Sequence, residues 1–378
     1  MKINVKRDVL VKAVNDVSKA ISSKTTLPIL TGIKIETAAN ELSLKGSDAD
    51  ISIERIIPLE KEAEVLVSVE ATGAVVVPAK LFGEIIKKLP ENEVIIEVKE
   101  SHLTTIQSGK AIYDLIGWDP SEYPIFPEVK EENSIFLSQT TVKDLISSTN
   151  FATATSEARP ILTGVCWDLS DKLSCVSTDS YRLSRKNIPL ESKISELRAV
   201  IPNKSLNEIA KLLDDTSENN VMIVFSSQQV LFKSDNLSIY SRLLEGNYPD
   251  VKRLIPTEFS TVVKVSSKEF YSAIERASLL ASENHVIKLM TNENGTIEIS
   301  SSTPELGKVQ EEVGTSSLTG EQITISFSSK YMKEASKALA CEEISLLFTG
   351  AMRPFIIKPG EETEVESTLQ LILPVRTY

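Results

Sequence analysis

Three helix-forming segments of this chain carry Lys, Glu and Lys at positions i, i+4 and i+7, at intervals of roughly 125 residues. They are Lys80, Glu84 and Lys87, then Lys204, Glu208 and Lys211, then Lys330, Glu334 and Lys337. At about 100° per residue the three side chains of each copy fall in one narrow stripe, so every segment offers the same charged face with a lysine at either end. A period this long is the size of a domain and far exceeds a solenoid unit, so the chain reads as three similar domains.

Further recurrences fix the frame. Pro28-Ile29-Leu30-Thr31-Gly32 returns as Pro160-Ile161-Leu162-Thr163-Gly164, Ser47-Asp48 as Thr178-Asp179, and Ile57-Pro58-Leu59 as Ile188-Pro189-Leu190, in the same order. Tyr123-Pro124 and Tyr248-Pro249 close the two units, in stretches where proline continues neither a helix nor a central strand. This places domains at 1–128, 129–256 and 257–378. The third keeps the helix pattern without the Pro-Ile-Leu-Thr-Gly segment.

Six stretches have apolar residues at helical spacing, two in each third: 6–21, 79–89, 138–150, 203–213, 267–281 and 329–340. Between them lie runs that read as strands, among them Leu42-Ser43-Leu44, Ile51-Ser52-Ile53, Val94–Val98, Val221–Phe225, Ile297-Glu298-Ile299 and Leu369–Leu373. Each third is therefore α+β, with antiparallel sheets on one side and two helices on the other. The formal charge of −12 argues against a polyanion partner until its distribution is considered. The six helical stretches together carry +7, which leaves −19 for the rest. Lysines commonly decorate solvated helix faces, but a stripe shared by three domains makes one extended basic surface inside an acidic shell the stronger reading.

The N-terminal Met1–Asp8 alternates charged and apolar residues like a strand, and no membrane-length or signal-like apolar run follows, so a cytoplasmic location is expected. Cys166, Cys175 and Cys341 are odd in number, lack CxxC spacing and read as reduced, packed side chains.

The usual catalytic constellations are missing. His102 and His285 lie in different thirds, without metal-ligand neighbours at the required spacing. The sequence carries neither a glycine-rich phosphate loop nor a Gly-x-Ser-x-Gly elbow. Asp48, Asp50 and Asp179 could serve a two-metal nuclease, but in Ser-Asp and Thr-Asp contexts between short strands they read as turn residues. No cofactor is expected. A binding surface is easier to support: the closing strand, stopped by Pro374, would leave Leu373, Pro374 and Val375 at a sheet edge, where with Met352 and Pro354 they could line an apolar groove for a peptide.

The repeated Pro-Ile-Leu-Thr-Gly, Thr178–Leu183, Asn247–Asp250, Phe348–Pro354 and the Leu-Pro-Val-Arg-Thr-Tyr end together resemble the bacterial DNA polymerase III beta subunit, the sliding clamp family, and most closely its Firmicutes type. The likeness runs from Met1 to Tyr378. It implies the DNA clamp fold: three domains per subunit, helices inside and sheets outside, and a head-to-tail homodimer closed into a ring. Twelve helices at about 10 Å each give a circle near 38 Å across at the helix axes, which admits a duplex of roughly 20 Å.

The resemblance implies a non-catalytic processivity factor that encircles double-stranded DNA and tethers the replicative polymerase. A clamp loader and other clamp-binding-motif proteins (repair polymerases, mismatch-repair proteins, ligase) would be further partners, and no membrane is involved. Residue by residue, it assigns DNA contact to Lys24, Lys80 and Lys204. It assigns a partner peptide pocket to Leu162, Thr178, Ser180, Tyr181, Arg182, Leu183, Pro249, Arg253, Leu254, Met352, Pro354, Leu373, Pro374, Val375 and Arg376. At the ring joint Tyr113 and Leu115 of one subunit would meet Leu279 and Leu280 of the other. Two departures stand out: Pro160-Ile161 where relatives can carry paired tyrosines, and Ser180-Tyr181 where some have Gly-His. The competing readings are a metal-dependent nuclease and a protein-only scaffold.

Overall fold

The computed structural model describes residues 1–22, 24–38, 40–126, 129, 134–190, 196–214, 219–281, 285–305, 307–361 and 367–376. The expected boundary at Glu128 and the terminal Thr377 and Tyr378 lie outside them. All six helical stretches form helices, trimmed at their ends: α1 (Arg7–Ser18), α2 (Ala79–Lys87), α3 (Gln139–Thr149), α4 (Asn203–Leu212), α5 (Ser267–Ser278) and α6 (Ser329–Leu339). Each starts where a strand stops, at Lys6, Pro78, Ser138, Pro202, Ser266 and Ser328. The residue before the helix often supplies its cap: Ser266 Oγ accepts from the Glu269 N–H, and Ser328 Oγ from the Tyr331 N–H. Helical spacing then puts the apolar residues on one side. Leu10, Ala13, Val14 and Val17 of α1 are buried, as are Phe82, Ile85 and Ile86 of α2, which packs beside it.

The strands form antiparallel sheets, and the pairing ignores the repeat boundaries. The chain divides into two compact units: Met1–Val142 with Lys204–Leu243, and Lys143–Asn203 with Leu244–Tyr378. The first unit contains a five-stranded and an eight-stranded sheet, and the second a nine-stranded and a four-stranded sheet. The middle third is shared out because its strands join the larger sheets of both units. In the first unit Ile51–Pro58 pairs with Leu237–Arg242, setting Ser52 opposite Tyr240. In the second Arg182–Pro189 pairs with Ser367–Ile372, setting Leu183 opposite Leu371. These are the same joint made twice, the strand after the Asp turn of one third bonded to the last strand of the next.

This corrects the expectation for the closing strand. It is not an edge strand: it ends at Ile372 and lies inside the nine-stranded sheet, between Arg182–Pro189 and Phe355–Pro359. Leu373–Val375 follow it, tied by a hydrogen bond from the Leu373 N–H to the Tyr181 carbonyl (3.0 Å) and one from the Val375 N–H to the Ser326 carbonyl (2.7 Å).

The repeated Pro-Ile-Leu-Thr-Gly is a 3₁₀ turn that delivers its glycine to the first position of a strand, in both copies. A Cβ on Gly32 would sit 2.5 Å from a Val76 methyl, and one on Gly164 2.6 Å from the Ile201 carbonyl oxygen. Neither position has room for a side chain. Gly164→Ala is expected to lower the free energy of unfolding by about 1–3 kcal/mol, read from urea denaturation; unchanged stability would show that the strand yields.

Candidate nucleic-acid interface and partner groove

The lysines that flank each stripe, Lys80 and Lys87, Lys204 and Lys211, and Lys330 and Lys337, are all exposed. Among the described residues none but Lys211 makes an ion pair; Lys211 bonds Glu208 of its own helix at 2.7 Å. In the first unit Lys19, just past α1, donates to the Lys211 carbonyl at 3.2 Å, placing another cation at the C-terminal end of α4, where the helix dipole favours it. Lys24 is exposed on the loop after α1, with its N–H bonded to Ser22 Oγ. Within each unit these are surface cations without a fixed geometry, which suits a phosphate backbone better than any particular base.

The glutamates of the three stripes have diverged. Glu84 is exposed, Glu208 holds Lys211, and Glu334 turns to Arg182. The sequence pattern does not contain that difference.

The candidate metal carboxylates build turns. Asp179 Oδ1 accepts the Tyr181 and Arg182 N–H groups at 2.9 and 3.0 Å, and the Ser180 N–H donates to Thr178 Oγ1. Asp48 makes the same turn, accepting the Asp50 and Ile51 N–H groups at 3.0 and 2.9 Å while the Ala49 N–H reaches Ser47 Oγ. Even the left-handed residue recurs, with φ of 78° at Ser180 and 80° at Ala49. No group of metal-ligating side chains occurs among the described residues. His102 and His285 are left-handed turn residues, with φ of 60° and 55°. Burial pushes the Cys166 thiol up to about 12 and the Cys175 thiol well above its ordinary value, so neither is a nucleophile at neutral pH.

The proposed pocket residues fall in the second unit, around the Asp179 turn. Leu162 and Leu183 are buried in one cluster with Leu371 and Tyr248, and Leu373 packs against it. Pro354 comes next to that floor, since Phe355 pairs with Ile372. Around the floor Tyr181, Leu254 and Met352 are large exposed apolar groups, and Ser180, Pro249, Arg253 and Arg376 are exposed too. Thr178, Leu162, Leu183 and Arg182 are buried. Arg182 is 8% exposed. Its guanidinium donates to Asp179 at 3.0 Å, to Glu334, and to the Phe151 carbonyl at 2.7 Å, and it lies 4.5 Å from the Tyr331 ring centre. Burial and then the Asp179 carboxylate raise the Tyr331 phenol above its ordinary value.

The first unit has a hollow of about 170 Å³ at the equivalent place. There Leu30 stands for Leu162 and Pro124 for Pro249, but Asp50 replaces Tyr181, Ser52 replaces Leu183, Gln229 replaces Pro354 and Arg242 replaces Leu373.

Of the ring-joint residues, Tyr113 and Leu279 are exposed, while Leu115 belongs to its own sheet's core and Leu280 is half-buried. Tyr113 lies on Ala111–Ile116, an edge of the five-stranded sheet that also exposes Ile112 and Ile116. Gly307–Val313 is an edge of the four-stranded sheet. Gly307–Val313 carries no sequence motif, and what marks it is the edge of backbone left unpaired among the described residues.

Three stretches of the chain match one family: residues 1–127 the N-terminal domain, 136–250 the central domain and 252–376 the C-terminal domain of the DNA polymerase III beta subunit. The beta sliding clamp of Bacillus subtilis is 50% identical over 385 residues, and that of Staphylococcus epidermidis 46% over 381, each covering 100% of both chains. The crystal structure of the Bacillus subtilis DNA polymerase sliding clamp is similar with a TM-score of 0.97 at 48% identity, covering 100% of both chains. That of the Streptococcus pyogenes DNA polymerase beta subunit has a TM-score of 0.94 at 38% identity and the same coverage.

The two Asp turns differ in what they hold, and the difference is measurable. Asp179→Ala removes the acceptor of two amides and of a buried guanidinium, so it should cost about 2–4 kcal/mol, against roughly 1–2 kcal/mol for Asp48→Ala. Equal losses on chemical denaturation would mean that the arginine contributes nothing to the turn.

Proposed function

The chain belongs to the DNA polymerase III beta subunit family, and from that premise we propose that two copies close head to tail around duplex DNA, with the stripe lysines toward the phosphates. It is a sliding clamp, a processivity factor that performs no chemistry of its own. The observation that carries the mechanism is the threefold recurrence of a lysine-flanked helix face in a chain of net charge −12. Lysine attraction to phosphate is indifferent to sequence, so every register along the duplex is nearly equivalent and the protein slides. A closed ring prevents escape, and an acidic exterior discourages DNA from binding outside. Tethering a polymerase to such a ring raises its effective concentration at the primer end. Lys24, Lys80 and Lys204 take the DNA contacts, and the work is cytoplasmic.

The internal joints supply a register for the joint between subunits. Following the strand pairings through the three thirds, Ser52 and Leu183 correspond to Lys308, and Tyr240 and Leu371 to Asp114. Continuing the pattern pairs Gly307–Val313 with Ala111–Ile116 of a second copy, Lys308 opposite the partner subunit's Asp114 and Val309 opposite the partner subunit's Tyr113. Both free edges are thereby satisfied, and the heterologous contact closes after two copies. The family assignment of Tyr113 fits this register, with Leu115, Leu279 and Leu280 packed behind it.

The groove around Leu162, Tyr181, Leu183, Met352, Pro354 and Leu373 suits a short peptide with Leu and Phe anchors, of the Gln-Leu-x-Leu-Phe kind. The replicative polymerase, a clamp loader and repair proteins would take turns in it. Ser180 and Tyr181 at its rim set this chain's peptide preference.

Three measurements test this reading. Loaded on nicked circular DNA, the protein should withstand high salt and run off after linearisation; loss from the circle in salt alone would refute a topological link. Lys308→Cys with Asp114→Cys should form a disulfide between subunits on mild oxidation, since directly opposed Cα atoms lie about 4.5–5.5 Å apart, whereas Gln310→Cys with Asp114→Cys should not; the reverse outcome refutes the register. Pro374→Asp should abolish polymerase stimulation and leave the dimer intact by ultracentrifugation; full stimulation would remove the groove from partner binding.

A further inference from the structure

The joint made inside the first unit and the joint made inside the second are internal controls for one another. Their turns share backbone, side-chain acceptor and left-handed residue, yet the position occupied by Arg182 in the second is Ile51 in the first, buried at 6% exposure. The helix glutamates differ to match. Glu208 of α4 bonds Lys211 of its own helix, and Glu334 of α6 bonds Arg182. The turn therefore folds without a guanidinium, and the Arg182–Glu334 pair belongs to the unit that carries the apolar groove.

α6 reaches the groove by two routes. Through Glu334 and the Tyr331 ring it holds Arg182, whose neighbour Tyr181 stands at the rim and accepts the Leu373 N–H. Through Ser326, on the strand that leads into α6, it accepts the Val375 N–H. The turn and the Leu373–Val375 segment are hydrogen-bonded neighbours, and both are fastened to this one helix and the strand before it.

We propose that Glu334 is a positioning residue for the partner groove: by holding Arg182 it fixes the orientation of the turn, and with it Tyr181 at the groove rim. Glu334 lies between Lys330 and Lys337 on α6 and touches no peptide itself. The inference rests on the groove reading above.

The test uses the full-length protein and a fluorescent Gln-Leu-Ala-Leu-Phe peptide, its affinity read by anisotropy. Glu334→Gln should weaken binding roughly three- to thirtyfold while shifting the unfolding midpoint by no more than a few degrees. Glu334→Asp should recover part of the loss, and Glu208→Gln should bind like the parent. A double-mutant cycle with Arg182→Gln should be non-additive in peptide affinity, because one interaction is lost in either variant. A parent that binds, with Glu334→Gln binding equally, overturns this inference alone, as does an equal loss in Glu208→Gln. A parent that does not bind overturns the groove reading and this inference with it.

Discussion

The structure depends on one kind of strand pair, in which the strand after the Asp turn of one third is hydrogen-bonded to the last strand of the next. Backbone bonds of this kind are indifferent to side chains, and the molecule uses that freedom. At equivalent places in the two joints, Ile53 faces Ile239 in the first unit and Ser184 faces Gln370 in the second. All four are buried. Ser184 Oγ and Gln370 Nε2 both donate to the Ser148 carbonyl near the end of α3, while Gln370 Oε1 is buried without a hydrogen-bond partner among the described residues. The ladder thus carries a partly satisfied polar pair where its twin carries an apolar one.

Some features were legible in the sequence because they are local. Helical spacing located all six helices, and the Lys-Glu-Lys stripe located their exposed faces. Pro-Ile-Leu-Thr-Gly marked a turn into a strand whose glycine has no space for a Cβ. The Ser-Asp and Thr-Asp pairs marked turns through the ability of a short carboxylate to bond the amides ahead of it. What escaped is long-range. The closing strand resembled an edge because it ends in Pro374, and nothing nearby in sequence announces Arg182–Pro189 as its partner. Glu334 resembled Glu84 and Glu208 because its distinguishing contact is 152 residues away. The family resemblance supplied pocket residues that periodicity could not, yet it did not separate the buried floor of Leu162, Thr178, Arg182 and Leu183 from the exposed rim.

The helices and the sheets also carry different kinds of specificity. On the proposed reading, exposed lysines at helix stripes offer an attraction that any phosphate backbone satisfies and can exchange partners as DNA moves past. The proposed groove combines a packed apolar floor, a turn held by three hydrogen bonds to Asp179 and a buried arginine, the ingredients of a site ordered before a peptide arrives. Sliding and selective docking thus occupy different layers of the same repeat.

The hollow of the first unit differs from its twin in part of its lining. It presents Asp50, Ser52, Gln229 and Arg242 where the second unit presents Tyr181, Leu183, Pro354 and Leu373, beside apolar Leu27, Leu30, Pro124, Ile125 and Phe126. An apolar anchor entering it would lie against Asp50 and Arg242, groups that need water or a partner, so the duplicated scaffold does not repeat the apolar set of its twin. On the proposed reading, partners that need the apolar set would share one place on each chain, so a change of enzyme at the DNA would wait for a departure or use a second chain in the ring.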